Sequence, residues 1–389
     1  MRASALHGGT KVCDYRLMLY ALLCCTLAAA DEASCEDRQA KALRDVEAYL
    51  SEHSANITLL EPFGAEVRGL NLAAAMRSGI LRHGGRFARS MEGLMSHVGV
   101  LVFREQAVMA PSEQVAASKL FGAGELHSTH GEHAKAGSAD IFRLSSSSTE
   151  GIVGPGAEWH NDGSFATDVF SHAAYHIVKL PSDVATVAGT SFAHLGRAHD
   201  LLDDKERRLL RRMVSVNSNG GAVHPIIHEH PLSLRPSLFL HLAMTGAVVH
   251  VGGGGDDEYD ASTAQWVALD EEEVASLLTR VSALFSDPHA VYHHAYRAGD
   301  LVLIDNWAVA HRWSLAYPAH AAAAPTHNPM PPRSPRENVA HSWHVDLLRV
   351  LPRDRPQGLP FYGAQGLPRL FRSRPRRARR ASDYSEVYG

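Results

Sequence analysis

Short apolar runs separated by glycine, proline and polar clusters dominate this chain, and their period changes along its length. Asp37 to Ser51 mixes charge with good helix formers and predicts a leading helix. Ile57 to Val67 reads as strand, turn, strand. Ala73 to His97 carries helical periodicity, and Val98 to Phe103 (VGVLVF) is a short β-rich run suited to a strand buried on both faces. Pro111 to Phe121 predicts a helix, with Pro111 in the first turn and Ser112 as a capping hydroxyl. Ser145 to Gly156 is rich in serine and glycine and reads as a loop.

From Ala173 onward short strands dominate, interrupted by a helix near Leu201 to Arg212. Gly252 to Asp257 (GGGGDD) is a loop; no Gly-Lys-Ser/Thr follows it, so it does not cradle a phosphate. Asp270 to Phe285 is a helix whose acidic start suits the positive end of its dipole. Ala290 to Tyr296 and Asp300 to Ile304 read as strands, Pro318 to Pro335 as a Pro/Ala-rich insert, and Ala340 to Leu348 as a closing strand. The pattern is mainly β with flanking helices.

The two ends differ from this middle. Arg2, Lys11 and Arg16 precede the apolar run Leu17 to Ala30, and Ala28-Ala29-Ala30 offers a small-residue cleavage site. Residues 1–30 therefore read as a signal peptide or N-terminal anchor, too short for a full bilayer span, and they imply the secretory pathway or secretion, with a cytoplasmic protein as the alternative. Residues 352–389 are rich in Pro, Gly and Arg and end in the basic run Arg372 to Arg380, the composition of a disordered tail. Residues 31–351 remain as one globular domain. Asn56-Ile57-Thr58 is a glycosylation sequon, equally readable as a chance tripeptide.

Composition removes several classes. A formal charge of −4 over 389 residues gives no case for nucleic acid as a partner. The four cysteines, Cys13, Cys24, Cys25 and Cys35, all lie at the N-terminus without a CxxC pair, which excludes a cysteine zinc site and a disulfide-stapled core. Histidine is abundant, at 25 residues, so most must be packing or surface residues.

Candidate chemistry lies in Glu158-Trp159-His160-Asn161-Asp162-Gly163-Ser164-Phe165 and, far downstream, in Asp305-Asn306-Trp307-Ala308-Val309-Ala310-His311-Arg312. On a strand, His160 and Asp162 would share one face, with Asn161 turned away. Two imidazoles and one carboxylate can cap one face of a ferrous ion and leave three positions open. Bringing His311 to the other two requires a closed β architecture such as a jelly roll. Alone, His-x-Asp is a weak signal.

The surroundings strengthen it. The chain resembles the taurine dioxygenase (TauD/TfdA) family of iron(II)/2-oxoglutarate-dependent oxygenases over about residues 57 to 317. The matching blocks run in the family's order: Ile57 to Val67, Val100 to Gln106, Phe121-Gly122 with Gly124 to His127, Trp159 to Asp162 with Phe165, Ala188 to Phe192, His224-Pro225, and Gly299 to Asn306 with His311. The resemblance implies a double-stranded β-helix fold, and iron held by His160, Asp162 and His311. Thr190 matches the threonine that hydrogen-bonds the co-substrate carboxylate. Arg104 matches a recurrent residue, with a structural role equally open, and His127 and His130 fall near the family's substrate segment, where plain surface histidines are the simpler assignment.

Two departures stand out. The family anchors the far carboxylate of 2-oxoglutarate with an arginine soon after the last histidine ligand, a task that suits a bidentate guanidinium. Here the Pro318 to Pro335 insert intervenes. Arg336 is the chosen anchor, with His341, His344 and Arg349 as rivals, while Arg312 neighbours a ligand and should point elsewhere. The asparagine and second arginine that hold a taurine sulfonate have no match, since Gly156 and His344 take those places, which argues against taurine.

The expected activity is oxidation of a small organic substrate by O2 with Fe(II) and 2-oxoglutarate, releasing succinate and CO2. A homo-oligomer is compatible with the sequence. The rivals are a non-catalytic family member that keeps the fold and metal, and a zinc hydrolase, which the lack of an HExxH arrangement disfavours.

Overall fold

The computed structural model describes residues 34–350 except 123, 125, 128–132, 146, 154–155, 157, 181–186, 253–264 and 317–343. The expected leader, the GGGGDD loop beyond Gly252, the Pro/Ala insert and the basic tail lie outside the described residues. Among those described, no helix is long and apolar enough to cross a membrane.

The leading helix α1 (Cys35–Ser51) starts at a capping box, in which the Ser34 hydroxyl accepts from Asp37 N–H and the Asp37 carboxylate accepts from Ser34 N–H. It is followed by the hairpin β1 (Asn56–Leu59) and β2 (Ala65–Arg68). The single periodic stretch expected over Ala73 to His97 is two helices, α2 (Leu72–Arg77) and α3 (Arg86–Val98). Gly79, Gly84 and Gly85 fall between them, and the first two take positive φ, which breaks the ladder. Helix α3 buries Phe87, Met91, Leu94, Met95 and Val98, one stripe at helical spacing. It stops at Gly99, where φ is +72° and a Cβ would lie 2.5 Å from Val309 Cγ1.

Strand β3 (Val100–Phe103) is wholly buried, as the apolar run predicts. Helix α4 (Pro111–Ser118) corrects the expected cap: the capping position is Ala110, not Ser112, and Glu113 accepts from Ala110 N–H at 3.0 Å. Proline at the first helical position needs no amide partner, so the acidic side chain alone closes the turn.

The remaining strands are β4 (Leu126–His127), β5 (Phe142–Ser145), β6 (His172–Lys179), β7 (Val187–His194), β8 (Met213–Asn217), β9 (Val223–Pro225), β10 (Ile227–Glu229), β11 (Pro236–Leu238), β12 (Thr245–Gly252), β13 (Gln265–Ala268), β14 (Val291–Ala295), β15 (Leu301–Asp305), β16 (Val309–Ala316) and β17 (His344–Val350). Helix α6 (Asp204–Leu210) stands where a helix was expected, a further short helix, α5 (Leu195–Asp200), precedes it, and α7 (Glu271–Phe285) is capped by Asp270 and Glu273.

Two sheets frame the interior. The larger has the order β1-β2-β3-β15-β6-β17-β4, with β5 also on β17; the smaller is β14-β7-β16. All their pairings are antiparallel except β2 with β3. Alternation divides the larger sheet cleanly. Leu101, Phe103, Leu301 and Leu303 face the helices with Leu50, Met91 and Leu94. Val100, Val102, Val302 and Ile304 face the other way, into a cluster with Tyr175, Phe192 and Val309. A third cluster gathers Trp159, Trp307, Phe239 and Phe285 beneath α7. Opposed sheets with helices on the outer face are the architecture of a double-stranded β-helix, as expected from the sequence.

Candidate metal centre

The three candidate ligands come together. His160, Asp162 and His311 each offer one donor atom, and these atoms all lie within 4.8 Å of one another. His311 Nε2 is 3.7 Å from Asp162 Oδ2, and the two imidazole centroids are 4.2 Å apart. His311 sits on β16, within a long strand. His160 does not sit on a strand as expected. It makes one isolated antiparallel bridge with His311, donating N–H to His311 O at 3.0 Å and accepting from His311 N–H at 2.9 Å. The chain then turns at Asp162 to Phe165. A single rung aligns the two histidines, and the turn brings the carboxylate round to them.

Buried asparagines hold this turn. Asn161 points away from the donors, as expected, and its Nδ2 donates to Asn306 O and Val309 O at 2.8 and 2.9 Å. Asn306 returns the contact: Oδ1 accepts from Asp162 N–H, and Nδ2 donates to Asp162 O and Phe170 O. Asp305 accepts from Trp307 N–H and Ala308 N–H and takes a hydrogen bond from His230 Nε2 at 3.0 Å. Burial would raise its pKa, but the His230 imidazole holds it down to about 2. Every polar group named here is buried, so each bond is protected from water.

The ligand rings are oriented as well as placed. His160 Nδ1 is 2.7 Å from Glu158 O; a carbonyl only accepts, so Nδ1 carries the proton and Nε2 keeps its lone pair for a metal. Tyr175 and Phe192 pack against the His311 ring, with centroids at 5.9 and 6.4 Å. Trp159 is fully buried, bonds Ser286 through its indole N–H and carries the Arg312 guanidinium 4.5 Å from its ring centroid. Arg312 therefore points away from the donors, as its neighbouring position predicts. Gly156 lies directly against His160, and a Cβ there would fall 2.7 Å from His160 Cε1. His241 stands beside His160, ring to ring at 5.7 Å, and burial pushes its pKa down to about 3.

Thr190 lies on β7, two residues from Phe192, whose partner across the ladder is His311, so Thr190 and His311 share the inner face. Its hydroxyl bonds the buried Tyr296 hydroxyl. Arg104 is part of a buried ion-pair network with Glu66 and Asp300 that ties β2, β3 and the turn before β15 together, which is a structural role. Arg336 and His341 lie outside the described residues, as does His130. In backbone register, His344 on β17 opposes Lys179 and Ser145, and Arg349 opposes Ala173 and His127.

The sequence model of the taurine catabolism dioxygenase TauD, TfdA family matches residues 57–328. The chain belongs to that family. It is similar to the alpha-ketoglutarate-dependent 2,4-dichlorophenoxyacetate dioxygenase of Cupriavidus pinatubonensis, 25% identical over 268 residues, 64% of this chain and 88% of that one. Its fold is similar to a taurine dioxygenase from Burkholderia xenovorans (TM-score 0.56, 17% identity, covering 79% of this chain and 93% of that one). It is also similar to AAD-2 in complex with Mn(II) and N-oxalylglycine (TM-score 0.51, 18% identity, covering 78% and 99%). As a family member the chain is a dioxygenase, an oxidoreductase with Fe(II) as metal and 2-oxoglutarate as co-substrate. The donor set agrees, since two neutral imidazoles and one carboxylate on one side of a site suit ferrous iron with open positions.

Sequence reasoning missed the Asn161–Asn306 clamp, the His230–Asp305 pair and His241. Asn306 stood inside a matched block, which was the available signal. His230 and His241 were two among many histidines, and nothing local distinguished them.

Proposed function

We propose that this chain oxidises a small organic acid, with iron held by His160, Asp162 and His311. The convergence of these three donors within 4.8 Å carries the reading. Iron(II) with 2-oxoglutarate supplies oxygen activation coupled to decarboxylation of the co-substrate to succinate and CO2. The chain's own residues place and orient the groups. The His160–His311 rung and the asparagine clamp hold the three donors close together ahead of metal binding. The apolar Tyr175, Phe192 and Val309 keep the inner face dry. Thr190, on the same face as His311, offers a hydroxyl to a carboxylate of 2-oxoglutarate, with Tyr296 holding that hydroxyl in place. An organic acid is the favoured substrate because the curated relative is named for an aryloxyacetate.

The test is succinate release from 2-oxoglutarate by purified iron-loaded protein. Wild type should bind both at micromolar levels and release succinate, and Asp162→Ala should do neither. Failure of wild type to bind iron and 2-oxoglutarate would overturn the reading.

A further inference from the structure

His241 is a fourth histidine at the centre, and nothing above gives it a task. Its ring is 5.7 Å from the His160 ring, yet it is not among the donors that meet within 4.8 Å, so it is a neighbour of the metal position rather than a ligand. It is nine-tenths buried. Its Nδ1 accepts from Met244 N–H at 3.0 Å. An imidazole nitrogen that accepts carries a lone pair, so the proton sits on Nε2. Among the described residues no group meets that Nε2–H.

The segment around it is fixed to the metal-site chain. Leu242 N–H donates to Trp159 O at 3.1 Å, next to His160, and the Thr245 hydroxyl donates to His241 O at 2.7 Å. Nε2 is thus held in one tautomer and one position beside the metal-site chain, with no partner of its own among the described residues, and is free to donate to a bound molecule. Tying down the Met244 turn uses Nδ1 alone and leaves Nε2 available beside the metal position.

We infer that His241 is a substrate-contacting, specificity-determining residue, whose Nε2–H donates to a carboxylate oxygen of the organic acid held beside the metal. The inference rests on the function proposed above and narrows it: the substrate presents an anionic acceptor within reach of His160's neighbour.

Two substitutions separate the nitrogens. His241→Asn keeps an acceptor near the Nδ1 position, for Met244 N–H, and removes the distal donor. His241→Gln restores an amide donor near the Nε2 position and gives up the near acceptor. Protein loaded with cobalt(II) and 2-oxoglutarate is titrated with a panel of aryl-, aryloxy- and alkylcarboxylic acids, 2,4-dichlorophenoxyacetate among them, and the visible cobalt bands report binding. Cobalt and 2-oxoglutarate are titrated separately on each variant. The expected result is that acids binding wild type bind His241→Asn about ten- to a hundredfold more weakly, while His241→Gln stays within about threefold of wild type.

Equal binding by His241→Asn and wild type overturns the inference, as does His241→Gln as weak as His241→Asn. Binding of cobalt and 2-oxoglutarate with no acid taken up at millimolar concentration overturns the substrate class. Failure to bind cobalt and 2-oxoglutarate in wild type instead overturns the underlying function.

Discussion

Asn161 and Asn306 clamp the two halves of the metal centre to each other: Asn161 Nδ2 donates to Asn306 O at 2.8 Å, and Asn306 binds both the N–H and the O of Asp162. One asparagine comes from the segment bearing the first two ligands, the other from the turn before the third. Asn306→Ala would leave three buried backbone groups, Asp162 N–H, Asp162 O and Phe170 O, without this partner. The expected cost is on the order of 3–5 kcal/mol, read by urea unfolding, with weaker iron binding as a second readout. A loss below about 1 kcal/mol would show that the clamp is incidental.

Gly156 tests how tightly His160 is confined. A side chain at 156 meets the imidazole at 2.7 Å, while the residue itself is exposed. Gly156→Val should displace the His160 ring and weaken iron binding about tenfold or more. The unfolding midpoint should change little. Metal titration monitored by calorimetry checks both, and unchanged affinity would show that the ring has room to move.

Thr190→Val removes the hydroxyl that faces inward and bonds Tyr296. The expected effect is a rise in KM for 2-oxoglutarate of about tenfold, with iron affinity unchanged. Tyr296, buried with its pKa raised by desolvation, loses its partner at the same time. Tyr296→Phe in the Thr190→Val background should therefore recover part of the lost stability without recovering the KM.

Buried histidines make the fold acid-sensitive. Burial lowers His194 and His228 to about 3, and His97 and His176 to about 4. His194 shows why: its Nε2–H donates to His97 O and its Nδ1 accepts from Gly196 N–H, so a second proton would face a donor. Each folded-state pKa lies below the unfolded value near 6.5, so the unfolded chain binds more protons between the two. Stability is then complete above about pH 6.5 and falls as the pH drops toward 4 and 3, by up to about 1.4 kcal/mol per unit for each histidine. Denaturant unfolding at about pH 7 and pH 5 should differ by several kcal/mol. A flat profile would mean that these histidines titrate normally in the fold.

Much of the frame was legible in the chain. The unbroken apolar run through Val100–Phe103 marked a strand buried on both faces, Leu301–Ile304 marked another strand, and the acidic residues from Asp270 marked the start of α7. Local errors had local causes. The Ala73 to His97 periodicity ran across glycines that break the ladder, and Ser112 was offered as a cap where Pro111 had already moved the helix start back to Ala110.

By itself the sequence determined the β-rich frame with its flanking helices, because periodicity and turn residues are properties of neighbouring positions, and the resemblance of its ordered blocks to a known family named His160, Asp162 and His311 as candidate donors. Only the tertiary structure decided that a single backbone rung joins His160 to His311, that Asn161 and Asn306 hold it, and that His241 stands beside it. Those partners are far apart in sequence. Their pairing is set by the packing of whole sheets against one another, and no short window of the chain carries that information.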